Sequence, residues 1–312
     1  MARNKKAQKP RRRVTAWFPC EDEQSWDKLA PHADALHTIS VFGKTPSQDF
    51  FRRCAERHVA TLRLVGGDAT AFDTKAHARA TIEQYVRDCA ETGFGGIDLD
   101  FEHVDAAYRR RYSEFMRALS DELHAIGARL SICVFAIDPD IYEKLPDLFY
   151  DPAVVAEACD EVRVMCYDMY LASRIWYGPA STRLWARNGM KWWLERVPRE
   201  KLIMSLPAYS NEYDLTPGSG FGRQQGCDSP AALTGETERA HDAERLWLPY
   251  DGINVYRYFD ARGHAHLFFA SDGDSTRAHL KTVDELGIPG ISFWHYGTMS
   301  DGIWQAVREW VG

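Results

Sequence analysis

Residues 93–104 read GFGGIDLDFEHV, which sets Asp98, Asp100 and Glu102 at every second position of an otherwise apolar run. Successive side chains of a strand point to opposite faces, so the three acids share one face while Ile97, Leu99 and Phe101 share the other. Desolvation and mutual repulsion make such a row of charges costly and raise the pKa of at least one of them. The apolar face can pack beneath helices. The acidic face must then point into an enclosed space, with Glu102 nearest the C-terminal end of the strand.

Seven further runs of strand length accompany this one: VTAWFP (14–19), LHTISVF (36–42), VATLRLVGG (59–67), RLSICVFA (129–136), EVRVMCYD (161–168), KLIMSLPAY (201–209) and GISFWHY (290–296). Between most of them lie stretches with apolar spacing near 3.6 and a closing glycine, such as 76–93 and 107–127, the marks of amphipathic helices. Eight strands alternating with helices predict an α/β fold, a (β/α)8 TIM barrel, with a doubly wound open sheet as the alternative. In such a barrel the C-terminal ends of the strands carry the active site. The span from about 210 to 275 breaks the alternation. It begins with the loop-like TPGSGFGRQQGCDSP and continues with INVYRYFDARGHAHLFFAS, two strands around a turn. We expect a small α+β insertion there, between strands 7 and 8 of a catalytic domain covering 14–312. Residues 1–13 form a basic tail expected to be disordered.

Composition narrows the partners. A chain of 312 residues, 45% hydrophobic, can bury a large core, and a net charge of −7 argues against nucleic acid or an anionic membrane as the main partner. No apolar run reaches the roughly 18 residues of a membrane span. The start lacks the apolar region of a secretory signal, so as written the chain reads as cytoplasmic. The seven cysteines show neither CxxC pairs nor metal-finger spacing and read as reduced core residues; the oligomeric state is left open.

Three explanations of the acidic face compete. A buried ion-pair network has only Arg63 and Arg163 as cations within the strand runs. A metal site is disfavoured, because the Cα atoms of Asp98 and Glu102 lie about 13 Å apart on an extended strand, too far to share one ion. The third is an acid whose proton is managed by neighbouring carboxylates, as in glycoside cleavage. No cofactor is called for.

GGIDLDFE (95–102) resembles the DxxDxDxE signature of glycoside hydrolase family 18, the chitinase family. MCYD (165–168) is similar to the family's Met-x-Tyr-Asp on strand six, and SLPAY (205–209) to its strand-seven motif. GISFW (290–294) resembles its strand eight, and VGG (65–67) stands where its Ser-x-Gly-Gly lies. The order is correct from about residue 14 to 310. Gly95 replaces the first Asp of the signature and Leu64 the Ser of the strand-three motif. HV after the acid, instead of YP, looks closer to the bacterial peptidoglycan and spore-cortex glucosaminidase branch, which would go with a spore or cell-wall location or with secretion.

The resemblance implies a retaining hydrolase of β-linked N-acetylglucosamine glycans, chitin oligosaccharides or peptidoglycan. Glu102 would be the general acid, Asp100 would orient the substrate's acetamido group, and Asp98 would share a proton with Asp100. Tyr167 would hydrogen-bond the acetamido oxygen. Asp168, Met165, Tyr209, Trp294 and Trp17 would form the sugar site, although barrel packing explains Tyr209 and Trp17 equally well. The alternative is a non-catalytic, lectin-like relative. The tryptophans of RIWYGPASTRLWARNGMKWWLERV (174–197) fit either sugar platforms or a helix packed on the barrel.

Overall fold

Hydrogen bonding joins eight parallel strands into a closed ring: β1 (Arg13–Cys20), β2 (Thr38–Gly43), β3 (Ala60–Gly66), β4 (Gly96–Asp100), β5 (Arg129–Phe135), β6 (Glu161–Met165), β7 (Leu202–Pro207) and β13 (Gly290–Trp294). The computed structural model describes residues 12–22, 25–141, 146–170, 177–217, 223–226 and 243–312. β1 pairs with β2 on one side and with β13 on the other, which closes the barrel and rules out the open sheet. Around it lie α1 (Ser25–Leu29), α2 (Gln48–Glu56), α3 (Lys75–Thr92), α4 (Arg109–Ala125), α5 (Pro152–Ala158), α6 (Arg183–Leu194), α7 (Gly273–Leu286) and α8 (Asp301–Val311).

Local signals explain the ends of the two helices expected from sequence. The Thr74 side chain accepts the His77 N–H to open α3, and Gly93, at φ 106°, closes it. α4 begins two residues later than its apolar pattern, because Asp105 first caps a 3-10 turn over Ala106–Tyr108.

Strand alternation sorts the barrel into two layers. Ile97, Leu99 and Phe101 join the main hydrophobic cluster outside β4, as do Val162 and Val164 outside β6 and Ile291 and Phe293 outside β13. The inner layer is unusually polar: Thr15, Ser40, Asp98, Ser131, Glu161, Arg163, Ser205 and Ser292 are all buried. TIM barrels ordinarily fill this space with branched aliphatics.

Between β7 and α7 the chain forms an antiparallel sheet of β8 (Tyr209–Asp214), β9 (Arg223–Gly226), β10 (Glu244–Leu248), β11 (Ile253–Phe259) and β12 (Ala265–Ala270), in the order β10-β11-β12-β8-β9. β8 starts two residues after β7 ends, so this sheet rises from the barrel's C-terminal mouth. Asn211 donates to the carbonyls of Tyr170 (2.7 Å) and Gly178 (3.0 Å), fastening the sheet to the loop after β6. Much of the loop-like stretch at 216–230 lies outside the described residues, as do residues 1–11 of the basic tail, Trp176 and Cys227. Arg12 is ordered, pairing with Asp284 at 3.0 Å. The six described cysteines are free and buried. Among the described residues no helix is long and apolar enough to cross a membrane.

Trp192 and Trp193 prove to be packing residues of α6, 9% and 0% exposed, and the indole of Trp193 donates to the Phe135 carbonyl at 2.9 Å. Trp193→Ala is therefore expected to destabilise the protein by about 3–5 kcal/mol, read by denaturant unfolding. A loss under about 1 kcal/mol would contradict this packing role.

Candidate active site

The carboxylate column begins in the middle of the barrel. Asp98 has no exposed surface, and its Oδ2 accepts from Trp17 Nε1 on β1 (3.1 Å) and from Arg163 Nη1 on β6 (2.9 Å). The Cys133 thiol on β5 lies 3.9 Å from Oδ1. Arg163, itself 0% exposed, also donates to Ser40 Oγ on β2 (2.6 Å) and from Nε to Glu161 (2.9 Å). Of the two cations visible in the strand runs, Arg163 thus serves the ion-pair reading for Asp98. Arg63 faces outward and pairs with Asp88 of α3 at 3.2 Å. Neither Asp100 nor Glu102 has an ion-pair partner among the described residues, so pairing accounts for one acid of the three.

Asp100 is held in a different environment. Burial foremost, then the charges of Glu102 and Asp98, push its pKa up to about 7, against the weaker opposing effects of Cys133 and Arg163. Its Oδ1 is buried without a hydrogen-bond partner among the described residues. Gly66 of β3 lies in register beside it, and a Cβ there would come within 2.7 Å of the Asp100 carbonyl oxygen. That contact explains the glycine at this point of the VGG stretch. Glu102, two residues on, is exposed at the mouth. Partial desolvation raises its pKa and Asp168 adds to the effect, while His103 opposes it.

Aromatic rings surround the column. Tyr167, just past β6, meets Trp17 edge to face at 6.2 Å and Tyr209 at 6.4 Å. Burial, and the acids nearby, hold its hydroxyl well above the ordinary phenol range, so it stays a neutral hydrogen-bond donor. Asp168 adopts a left-handed backbone (φ 59°) and accepts a hydrogen bond from Tyr209. Trp294 is partly exposed, stacks on Phe42 at 5.5 Å and meets Trp17 at 5.6 Å.

Glu102, Asp100, Tyr167, Asp168 and Trp294 thus gather at the mouth with accessible surface. Tyr209, 7% exposed, anchors Asp168. Trp17 and Met165, 0% and 6% exposed, lie beneath with Cys133. For Trp17 this corrects the expectation of a sugar contact: a ring without accessible surface supports Asp98 and Trp294 instead. Arg163 is the residue that motif matching passed over. Gly95 is exposed at the other end of β4, where a Cβ would make only an ordinary 3.5 Å contact with the Thr61 carbonyl, so the departure from the signature there lies about 16 Å from Asp100. Among the described residues no group of three or more His, Cys, Asp or Glu is arranged to hold a metal ion.

Known proteins carry the same architecture. Glycosyl hydrolases family 18 matches residues 5–298. The uncharacterized glycosylase YvbX of Bacillus subtilis (strain 168) is 23% identical over 240 residues, 76% of this chain and 67% of its own. The cortical fragment-lytic enzyme of the same organism is 24% identical over 240 residues, 74% of this chain, and the match spans only 53% of that longer protein. The crystal structure of a chitinase from Chromobacterium violaceum ATCC 12472 shares the fold with a TM-score of 0.83 at 20% identity, covering 96% of this chain and 99% of that one. A match of this extent, over a closed barrel with an acidic column at its mouth, makes the chain a member of glycosyl hydrolases family 18 and a glycosidase.

Proposed function

We propose that the protein hydrolyses β-linked N-acetylglucosamine glycans with retention of configuration, the substrate's own acetamido group acting as nucleophile. The observation that carries this reading is the pairing of an open acid, Glu102, with a desolvated carboxyl directly below it, Asp100. Glu102 gives its proton to the glycosidic oxygen as the bond to C1 breaks. The acetamido carbonyl oxygen bonds to C1 and forms an oxazolinium ion; family 18 is the substrate-assisted exception to the two-carboxylate rule. Asp100, beneath the acetamido nitrogen, orients the group and stabilises its positive charge. Tyr167 donates to the acetamido oxygen before attack, and Trp294 floors the sugar ring. Glu102 then takes a proton from water as the water oxygen bonds to C1 and opens the oxazolinium ring. Asp168, fixed by Tyr209, contributes to sugar binding. A raised Glu102 pKa suits an acid that must hold a proton toward neutral pH.

Relatives named as a cortical fragment-lytic enzyme and as chitinases make peptidoglycan strands and chitin oligosaccharides the first substrates to try, and the former would go with a spore or cell-wall location. Product mass spectrometry should show cleavage of at least one of these by wild type, and none of a glycan carrying a 2-hydroxyl in place of the acetamido group. Glu102→Gln should lose roughly 10²–10⁴ in kcat while still binding the glycan. Binding without cleavage by wild type would overturn the catalytic reading in favour of a lectin-like one.

Asp100 also predicts a pH effect on stability. Its folded pKa, raised to about 7 from the ordinary 3.8, favours the fold while the group is protonated. That contribution is lost as pH rises from about 4 through 7. The melting temperature of Asp100→Asn should therefore gain on wild type steadily between pH 4 and pH 8. A gap independent of pH would contradict the desolvated environment.

A further inference from the structure

We propose that Arg163 is a positioning residue for the carboxylate column: its ion pair with Asp98 holds the lowest carboxylate in place and sets the net charge that stands beneath Asp100 and Glu102. The inference rests on the glycosidase reading for its meaning.

The geometry is specific. One guanidinium ties together four strands: its own β6 through Glu161, β4 through Asp98, β2 through Ser40, and β1 through Trp17, whose ring centroid lies 5.5 Å from its central carbon. Guanidinium and indole both donate to the same Asp98 oxygen, so the carboxylate is fixed in rotation. A fork of donors suits this junction, since Nε serves Glu161 while Nη1 serves Asp98 and Ser40. Glu161 has Arg13 (3.9 Å) and Arg129 (4.0 Å) near its other oxygen, which leaves the charge of Arg163 to Asp98.

The groups that bear on Asp100 are few. β4 supplies Asp98 and, past its end, Glu102; β5 supplies the Cys133 thiol; β6 supplies Arg163 and, past its end, Tyr167. Glu161 lies lower on β6, and Asp168 acts on Glu102 at the rim. The inner residues of the other strands, Trp17, Ser40, Leu64, Ser205 and Ser292, carry no charge. Among the described residues Arg163 is therefore the cation in direct contact with the column, while Arg13 and Arg129 stand lower, beside Glu161. Removing Arg163 makes the column more negative and raises the proton affinity of what remains.

The test follows the Asp100 carboxyl by ¹³C NMR across pH in the free enzyme, beside the pH profile of kcat/KM on a chitin oligosaccharide. Arg163→Met should move the Asp100 midpoint, and the limb of the profile that follows it, upward by about one pH unit. Arg163→Lys keeps the charge and should leave both in place. Asp98→Asn should lower the midpoint, and Asp98→Asn combined with Arg163→Met should restore it. Should Arg163→Met fail to fold, the last two variants carry the test, since the double variant leaves no charge unpaired. Equal midpoints in wild type, Arg163→Met and Asp98→Asn, or in Asp98→Asn and the double variant, would overturn the proposal and leave Arg163 a structural residue. Absence of glycosidase activity in wild type would refute the proposed function, while the carboxyl titration would still decide this inference.

Discussion

The ion pair between Arg163 and Asp98, with neither side chain exposed, is the interaction on which the rest of the barrel interior depends. A row of acids brought inward by strand alternation needs a floor that can tolerate charge. Arg163 provides it, and small hydroxyl residues, Ser40, Ser131, Ser205 and Ser292, leave room for a long guanidinium where a TIM barrel would ordinarily pack branched aliphatics. Such pairs are poor sources of net stability, yet losing one partner leaves an uncompensated buried charge costing about 3–5 kcal/mol. The floor is thus better understood as a constraint that fixes the column than as a source of stability.

Above that floor, depth alone differentiates three similar groups. Asp98 is paired and fully buried. Asp100 is desolvated, with one oxygen unpartnered among the described residues, and so favours its proton. Glu102 stands in the open mouth, where it can meet a glycosidic oxygen. Acid and base roles are assigned in this way wherever environment drives the pKa values of neighbouring groups apart. The sheet inserted after β7 adds to the rim, since Tyr209, its first residue, holds Asp168 in place.

Much of this was legible in the sequence because two periodicities carry it. Six of the eight barrel strands fall within the apolar runs, β1 overruns its own by a single residue at each end and β2 by a single residue at its C-terminal end, and the alternation in IDLDFE decides which face of β4 turns inward. What periodicity does not give is radial depth or the partner across the barrel. Arg163 stood out as a charge inside EVRVM, but its contact with Asp98 spans two strand spacings and follows only from the closed ring. Arg63 looked equivalent and faces the other way, toward α3. Trp17 sits at the right end of the barrel for a sugar contact, yet Trp294 and Tyr167 cover it. The pairing of the inserted strands depends on contacts between β8 and β12, far apart in sequence, which no local pattern announces.

The central claim is that the column works through the substrate's own acetamido group. It is tested most directly by ¹H NMR of the anomeric proton released when wild-type enzyme cleaves a chitin oligosaccharide, recorded before mutarotation. Attack by the acetamido oxygen followed by water requires two inversions at C1, so the new reducing end should appear first as the β anomer. First appearance of the α anomer would show a single displacement by water and would contradict the roles of Asp100 and the acetamido group in the proposed mechanism.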